Sequence, residues 1–171
     1  MQRKDFGSME CPVARGLERV GEWWSILILR DALQGLTRFD QFQKSLEIAP
    51  NILARRLASL VQSGLLEKRL YSERPPRYEY VPTAIGRDFQ PVLMALLAWG
   101  NRHFAPEGAR VVVAEQATGR IVEPAVVDPQ TGKPLRAPDY AMRPGPLASE
   151  ALIRRLAGGG SLAADAPAGD T

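Results

Sequence analysis

Residues 49–64, APNILARRLASLVQSG, constrain the fold more than any other stretch of the chain. Pro50 suits a first helical turn, where its missing N–H has no bond to lose. Gly64 suits the left-handed position just past a helix end. Between them Leu53, Leu57 and Leu60 recur at helical spacing with Val61 beside them, which makes one apolar stripe. Stepping about 100° per residue puts Asn51, Arg55, Ala58, Ser59 and Gln62 on the opposite side, with Ile52 and Arg56 on the flanks. That outer side is short-chained and polar, centres on an arginine and has no acid. A face meant only for solvation usually mixes both signs. Alone, an ordinary amphipathic surface helix would still explain it, so its neighbours decide.

Upstream, residues 1–10 read as a polar arm. Cys11 and Pro12 open a helix with Val13, Leu17 and Val20 on its apolar side and Gly21 at its end. A second helix spans about 23–34, apolar almost all round from Trp23 to Leu33, and so belongs in the core. Thr37 is the expected N-cap of a third helix, with Asp40 as capping-box partner. Phe39, Phe42 and Leu46 face inward. The tetrapeptide EIAP then leads into the helix at 50–63. Two helices joined so tightly form a helix-turn-helix pattern.

Past Gly64 the period changes. LLEKRLY (65–71) and RYEYVP (77–82) alternate as strands around a Pro-Pro tip, which predicts a hairpin. Arg74 and Arg77 sit at its tip, with Lys68 and Arg69 at its base. Beside a groove-entering helix such a hairpin is a wing whose cations reach phosphates. Thr83 should cap a long helix to about Phe104. Its Phe89, Val92, Leu93, Leu96, Leu97 and Trp99 exceed what a small core can absorb, so the surplus predicts a dimer seam. Pro91 within it predicts a bend or an early break. From Pro106 onward, 109–115 and 120–127 read as strands around Thr118-Gly119, followed by a turn at 128–132. Residues 134–146 are a Pro-rich loop, ALIRRLA a short helix, and 158–171 a flexible tail. The expected division is thus an arm (1–10), a winged domain (11–104), a β-hairpin and Pro-rich extension (105–146), and a short helix with its tail (147–171).

Net charge is only +3, yet residues 38–77 hold eight basic residues against four acidic ones. That local excess suits a polyanion. One cysteine excludes an internal disulfide framework and a Cys-based zinc site. The single histidine and scattered acids offer no metal cluster, and no cofactor is implied. Neither a nucleophile–base pair, a carboxylate dyad nor a phosphate loop suggests an enzyme. No apolar run approaches the roughly 18 residues of a membrane span, and the N-terminal stretch lacks a signal-peptide core. The cytoplasm is the expected compartment.

Together these motifs resemble the HxlR family of bacterial winged-helix regulators. The similarity covers about 10–104: CPV at 11–13, GEWWSILIL at 21–29, GLTRFDQF at 35–42, the leucines at 53, 57 and 60, GLLEKRLYSERPPRYEYVPTAIGRDFQPVL at 64–93, and ALLAWG at 95–100. Two departures stand out. Ala49-Pro50 replaces the family's usual serine at the helix start, which removes a hydroxyl contact to phosphate. Val81-Pro82 replaces a more usual Xaa-Leu before Thr83. The resemblance implies a mainly α fold with a small β component, a winged helix-turn-helix with a long C-terminal dimerisation helix, here with an appended hairpin. It implies a homodimeric repressor or activator of transcription, binding double-stranded DNA at a near-palindromic operator. Arg55 is then the best base reader, through guanine O6 and N7, with Asn51 able to read adenine. Ile52 and Ser59 lie on the same helix, and Arg38, Arg56, Lys68, Arg74 and Arg77 are cast as phosphate clamps. Phe89, Val92, Leu93, Leu96 and Trp99 are the expected dimer residues.

Several family members use a cysteine at the CPV position as an oxidant or electrophile sensor. Cys11 at a helix N-terminus would have its thiolate favoured, although a lone cysteine often serves as a small apolar residue. An effector pocket lined by Trp23, Trp24, Phe39, Phe42, Tyr80 and Trp99 is a further expectation, to be weighed against their serving as core. The competing function is a winged-helix module for protein–protein contact, docking through the C-terminal extension.

Overall fold

A computed structural model describes residues 8–158. Four helices come first: α1 (Pro12–Val20), α2 (Trp23–Leu33), α3 (Phe39–Leu46) and α4 (Pro50–Gln62). The antiparallel hairpin β1 (Leu66–Glu73) and β2 (Pro76–Pro82) follows, then α5 (Ala84–Arg87) and α6 (Gln90–Phe104). A small second hairpin, β3 (Val113–Ala114) with β4 (Ile121–Val122), and a last helix α7 (Glu150–Gly158) complete the described elements. The chain divides into two compact units, Met1–Pro124 and Ala125–Thr171. The boundary falls inside the extension marked out at 105–146, so β3 and β4 belong with the helices.

The core of the first unit is aliphatic. Ile28 and Leu29 of α2, Phe42 of α3 and Leu53, Leu57 and Leu60 of α4 have no exposed surface, and Leu65, just before β1, and Leu66 at its start close it. Burying each such side chain contributes about 2 kcal/mol. The stripe read at 53, 57 and 60 is thus the inward face of α4. Its end is a Schellman motif. Gly64 takes φ +73°, its N–H donates to Val61 O at 3.0 Å, and the Leu65 N–H donates to Leu60 O at 3.0 Å. Gly35 ends α2 in the same manner at φ +101°.

Four expectations are corrected. The cap of α3 is Arg38, one residue later than Thr37, and its partner is Gln41 instead of Asp40. The longer amide reaches back so that its Oε1 accepts the Thr37 and Arg38 N–H groups at 3.0 and 2.9 Å. The helix expected from Thr83 to Phe104 is two helices. Thr83 caps only α5, accepting from the Gly86 N–H at 3.1 Å, and α6 restarts with Pro91 in its first turn, where proline is tolerated. Phe89 packs against the core at that break and so lies outside the exposed row of α6. The strands expected at 109–115 and 120–127 shrink to two residues each. Of the tail expected at 158–171, Gly158 ends α7 and the rest, like the first seven residues of the arm, lies outside the described residues.

The junction beyond α4 is tight. The Thr83 hydroxyl donates to Gly64 O at 2.6 Å, and the Thr83 N–H donates to Leu65 O at 3.1 Å. Gly86 packs so closely there that an added Cβ would lie 2.1 Å from the Leu65 carbonyl oxygen.

Candidate nucleic-acid interface

The helix-turn-helix is α3, the turn 47–49 and α4. Glu47 adopts φ +50° to turn the chain, Ile48 anchors the turn in the core, and Ala49 O accepts from the Ile52 and Leu53 N–H groups, each at 3.0 Å. With the leucine stripe turned inward, the opposite side of α4 meets solvent. Asn51, Ala54, Arg55, Ala58, Ser59 and Gln62 are all exposed. That side carries one guanidinium and several short polar groups and no carboxylate.

The two flanking residues behave differently. Ile52 is half-buried against the core. The Arg56 guanidinium turns back to the Glu22 carboxylate ahead of α2, and its side chain is only 11% exposed. Arg56 therefore does not present its charge outward as a phosphate clamp would; it ties α4 to the start of α2. Sequence periodicity gave no sign of this pair, because Glu22 lies 34 residues away.

The β1–β2 hairpin stands against the start of α3. The Tyr80 N–H donates to Thr37 O at 2.7 Å, and Arg38 forms an isolated antiparallel bridge with Glu79. Arg74 and Arg77 are exposed at its end, where the strands close at Glu73 opposite Pro76, tighter than the five-residue tip expected. A bulge between Leu70 and Ser72 leaves Tyr71 out of the pairing, and bulges re-aim side chains. The Arg38 guanidinium lies over the Tyr71 ring, 4.8 Å from its centre. The Lys68 ammonium lies 3.9 Å from the centre of the Tyr78 ring. These tyrosines, missed as functional candidates, hold two expected phosphate-binding cations above their π faces. The strand alternation that places Tyr78 was visible in sequence; the bulge that re-aims Tyr71 was not. Arg69 pairs with Glu67 at 2.9 Å, which holds the glutamate below the usual carboxylate range. Burial raises the Tyr80 phenol, which packs against the core.

Elsewhere in the first unit, apolar side chains face outward. Val13 and Leu17 of α1, and Val92, Leu96 and Trp99 of α6, are exposed, and Trp99 meets Phe104 edge-on at 4.8 Å. Leu93 is half-buried. Cys11 is the half-buried N-cap residue of α1. The six aromatics expected around an effector pocket do not converge on one: Phe42 is core, Trp23 is 75% exposed, and Trp24, Phe39 and Tyr80 pack on the core. Among the described residues no cluster of His, Cys, Asp and Glu could hold a metal ion, and no helix is long and apolar enough to cross a membrane.

Comparison with known proteins agrees with this geometry. The profile of the HxlR-like helix-turn-helix family matches residues 19–108. An HTH-type transcriptional regulator of Mycobacterium tuberculosis is 36% identical over 135 residues, which is 78% of this chain and 85% of that protein. A candidate transcription factor from Pseudomonas aeruginosa (PA1374) is 56% identical in its solved structure, covering 85% of this chain and 100% of its own, with a TM-score of 0.63. Another candidate transcription factor (PA1607) is 42% identical with a TM-score of 0.71 over 80% of this chain and 96% of its own. The redox regulator HypR, in oxidised form, is 28% identical with a TM-score of 0.51 over 54% of this chain and 97% of its own. An acid-free α4 face beside a cationic winged hairpin is what such regulators need to meet DNA, and the chain belongs to the HxlR-like helix-turn-helix family of transcriptional regulators.

Proposed function

We propose that the chain represses transcription as a homodimer that seats two α4 helices in successive major grooves of a near-palindromic operator. The observation that carries this is the solvent side of α4, where Asn51, Arg55 and Ser59 stand exposed without an acid among them. Arg55 reads guanine and Asn51 adenine, while Arg38, Lys68, Arg74 and Arg77 hold phosphates. Arg56 leaves that set because Glu22 engages it. The exposed apolar rows of α1 and α6 supply the two-fold seam, Val92, Leu96 and Trp99 at its centre. Two-fold symmetry spaces the half-sites by about one helical turn, roughly 34–36 Å.

Cys11 is the proposed point of redox control, and the likeness to a redox regulator supports it. The N-terminus of α1 favours its thiolate. As the chain's one cysteine, it is oxidised to a sulfenic acid, a mixed disulfide or a Cys11–Cys11 bridge between subunits. Diamide should then release the DNA from the wild type and not from Cys11→Ser.

The decisive measurement is binding to the promoter DNA of its own gene across a salt series. Arg55→Ala with Arg74→Ala should weaken binding by at least about tenfold and flatten the salt slope by about 1 for the lost phosphate contact. Affinity that is independent of salt, or unchanged in the double variant, overturns the reading.

A further inference from the structure

α2, α6 and residues 111–114 flank a half-open cleft of about 600 Å³. It arises from the composition of α2. A helix apolar all round has more greasy surface than one core can cover, so Ile28, Leu29 and Ala32 fill the core while Leu27 and Leu33 are left over on another side. From α6, Leu93, Met94 and Leu97 are likewise half-buried and lie outside the core cluster. These five line the cavity, and Val112 and Val113 form part of its third wall. Its size falls within the range of small-molecule sites, about 300–1,000 Å³, and such sites combine apolar walls with a few placed polar groups.

The polar groups here are Arg30, Gln34 and Gln90, and no acid lines the space. Arg30 is already oriented. Its Nε donates to Asp31 Oδ1 at 2.8 Å and a terminal nitrogen forms an ion pair with the same oxygen at 2.7 Å; the Asp31 side chain is 3% exposed, and its Oδ2 has no hydrogen-bond partner among the described residues. A guanidinium has five N–H donors, so three remain for another acceptor. The head is held by its ion pair with the buried Asp31 and set, partly exposed, at the edge of an aliphatic cleft.

We propose that this cavity binds a small amphiphilic carboxylate, with its hydrocarbon body between α2 and α6 and its carboxylate on Arg30. An acid-free lining with one fixed guanidinium disfavours a cationic ligand, and the apolar walls disfavour a sugar or a nucleotide. The site meets no residue of α4 or of the β1–β2 hairpin, but Leu93 and Leu96 line it and also belong to the α6 seam proposed above, so the inference rests on a seam that leaves this space open.

The test is calorimetry on the full chain without DNA, using dodecanoate below its micelle concentration, with dodecanol and dodecyltrimethylammonium as controls. Dodecanoate should bind once per chain, about tenfold tighter than the alcohol because of its charge-assisted hydrogen bonds. Arg30→Gln should reduce it to the level of the alcohol. Gln90→Glu, an exposed position that tolerates the change, should weaken dodecanoate and leave the alcohol unaffected. No binding to the wild type, which is the result if a second subunit fills the space, overturns the proposal. So does equal binding of the cation, or indifference to both substitutions.

Discussion

The helical part of the first unit and the turn at 126–135 in the second are held by opposite means. In the first, Phe42, Leu53, Leu57 and Leu60 are wholly buried, and the elements cohere because aliphatic surface leaves water. In the second, Val126, Val127 and Leu135 stay exposed and one carboxylate organises the chain. Asp128 accepts from the Gln130 N–H at 2.9 Å, the Thr131 hydroxyl at 2.8 Å and the Tyr140 hydroxyl at 3.2 Å. The backbone closes the turn through Asp128 N–H to Lys133 O and Leu135 N–H to Val126 O, both at 2.9 Å. These donors hold the Asp128 carboxyl below its usual range, the Gln130 N–H most strongly. Burial gives a cooperative block, whereas local hydrogen bonding gives a shaped loop with little stability of its own.

The largest effect expected from this contrast is in the core. Leu57→Ala should lower unfolding stability in urea by about 3 kcal/mol, while Leu135→Ala should stay within about 0.5 kcal/mol of wild type. Equal losses would mean that the turn is packed as tightly as the helices. Next comes Gly86→Ala, which drives a methyl group into the Leu65 carbonyl. A cost of about 2 kcal/mol is expected from overpacking, with a matching fall in the melting midpoint. A neutral outcome would show that the junction can open. The smallest effect concerns pH. Asp128 is depressed in the folded chain, so its contribution is complete above the unfolded value, about 4, and fades as pH falls through the folded value. Exchange protection of the Gln130 amide should therefore survive to lower pH than an ordinary carboxylate allows, then vanish. Asp128→Asn should remove that acid dependence without altering α4 or its surroundings.

Most of this architecture was legible because period and punctuation agree. Leucines at 53, 57 and 60 give the buried side of α4, and Gly35 and Gly64 mark the ends of α2 and α4. The break before α6 was legible in Pro91. What escaped was set by contacts distant in sequence or by shifts of a single residue. Gln41 took the place of Asp40 because the helix begins after Arg38, one residue later than expected, which puts Gln41 at the position three past the cap. Arg56 turned inward because Glu22 waits there, a pairing no helical wheel displays. Tyr71 escaped through a bulge, which breaks the alternation that strand reading relies on. The aromatics suggested a pocket, but the cavity is lined by aliphatic residues that α2 and α6 could not fit into the core.

The paired carbonyls of Gly64 and Leu65 have one further consequence. Through Thr83 they fasten the turn just past α4 to the chain that leads through α5 into α6. In the proposed homodimer this junction would link the spacing of the two α4 helices to the α6 faces. An operator lengthened by a few base pairs between its halves should then bind the proposed homodimer more weakly, since its DNA must bend or untwist to meet both helices.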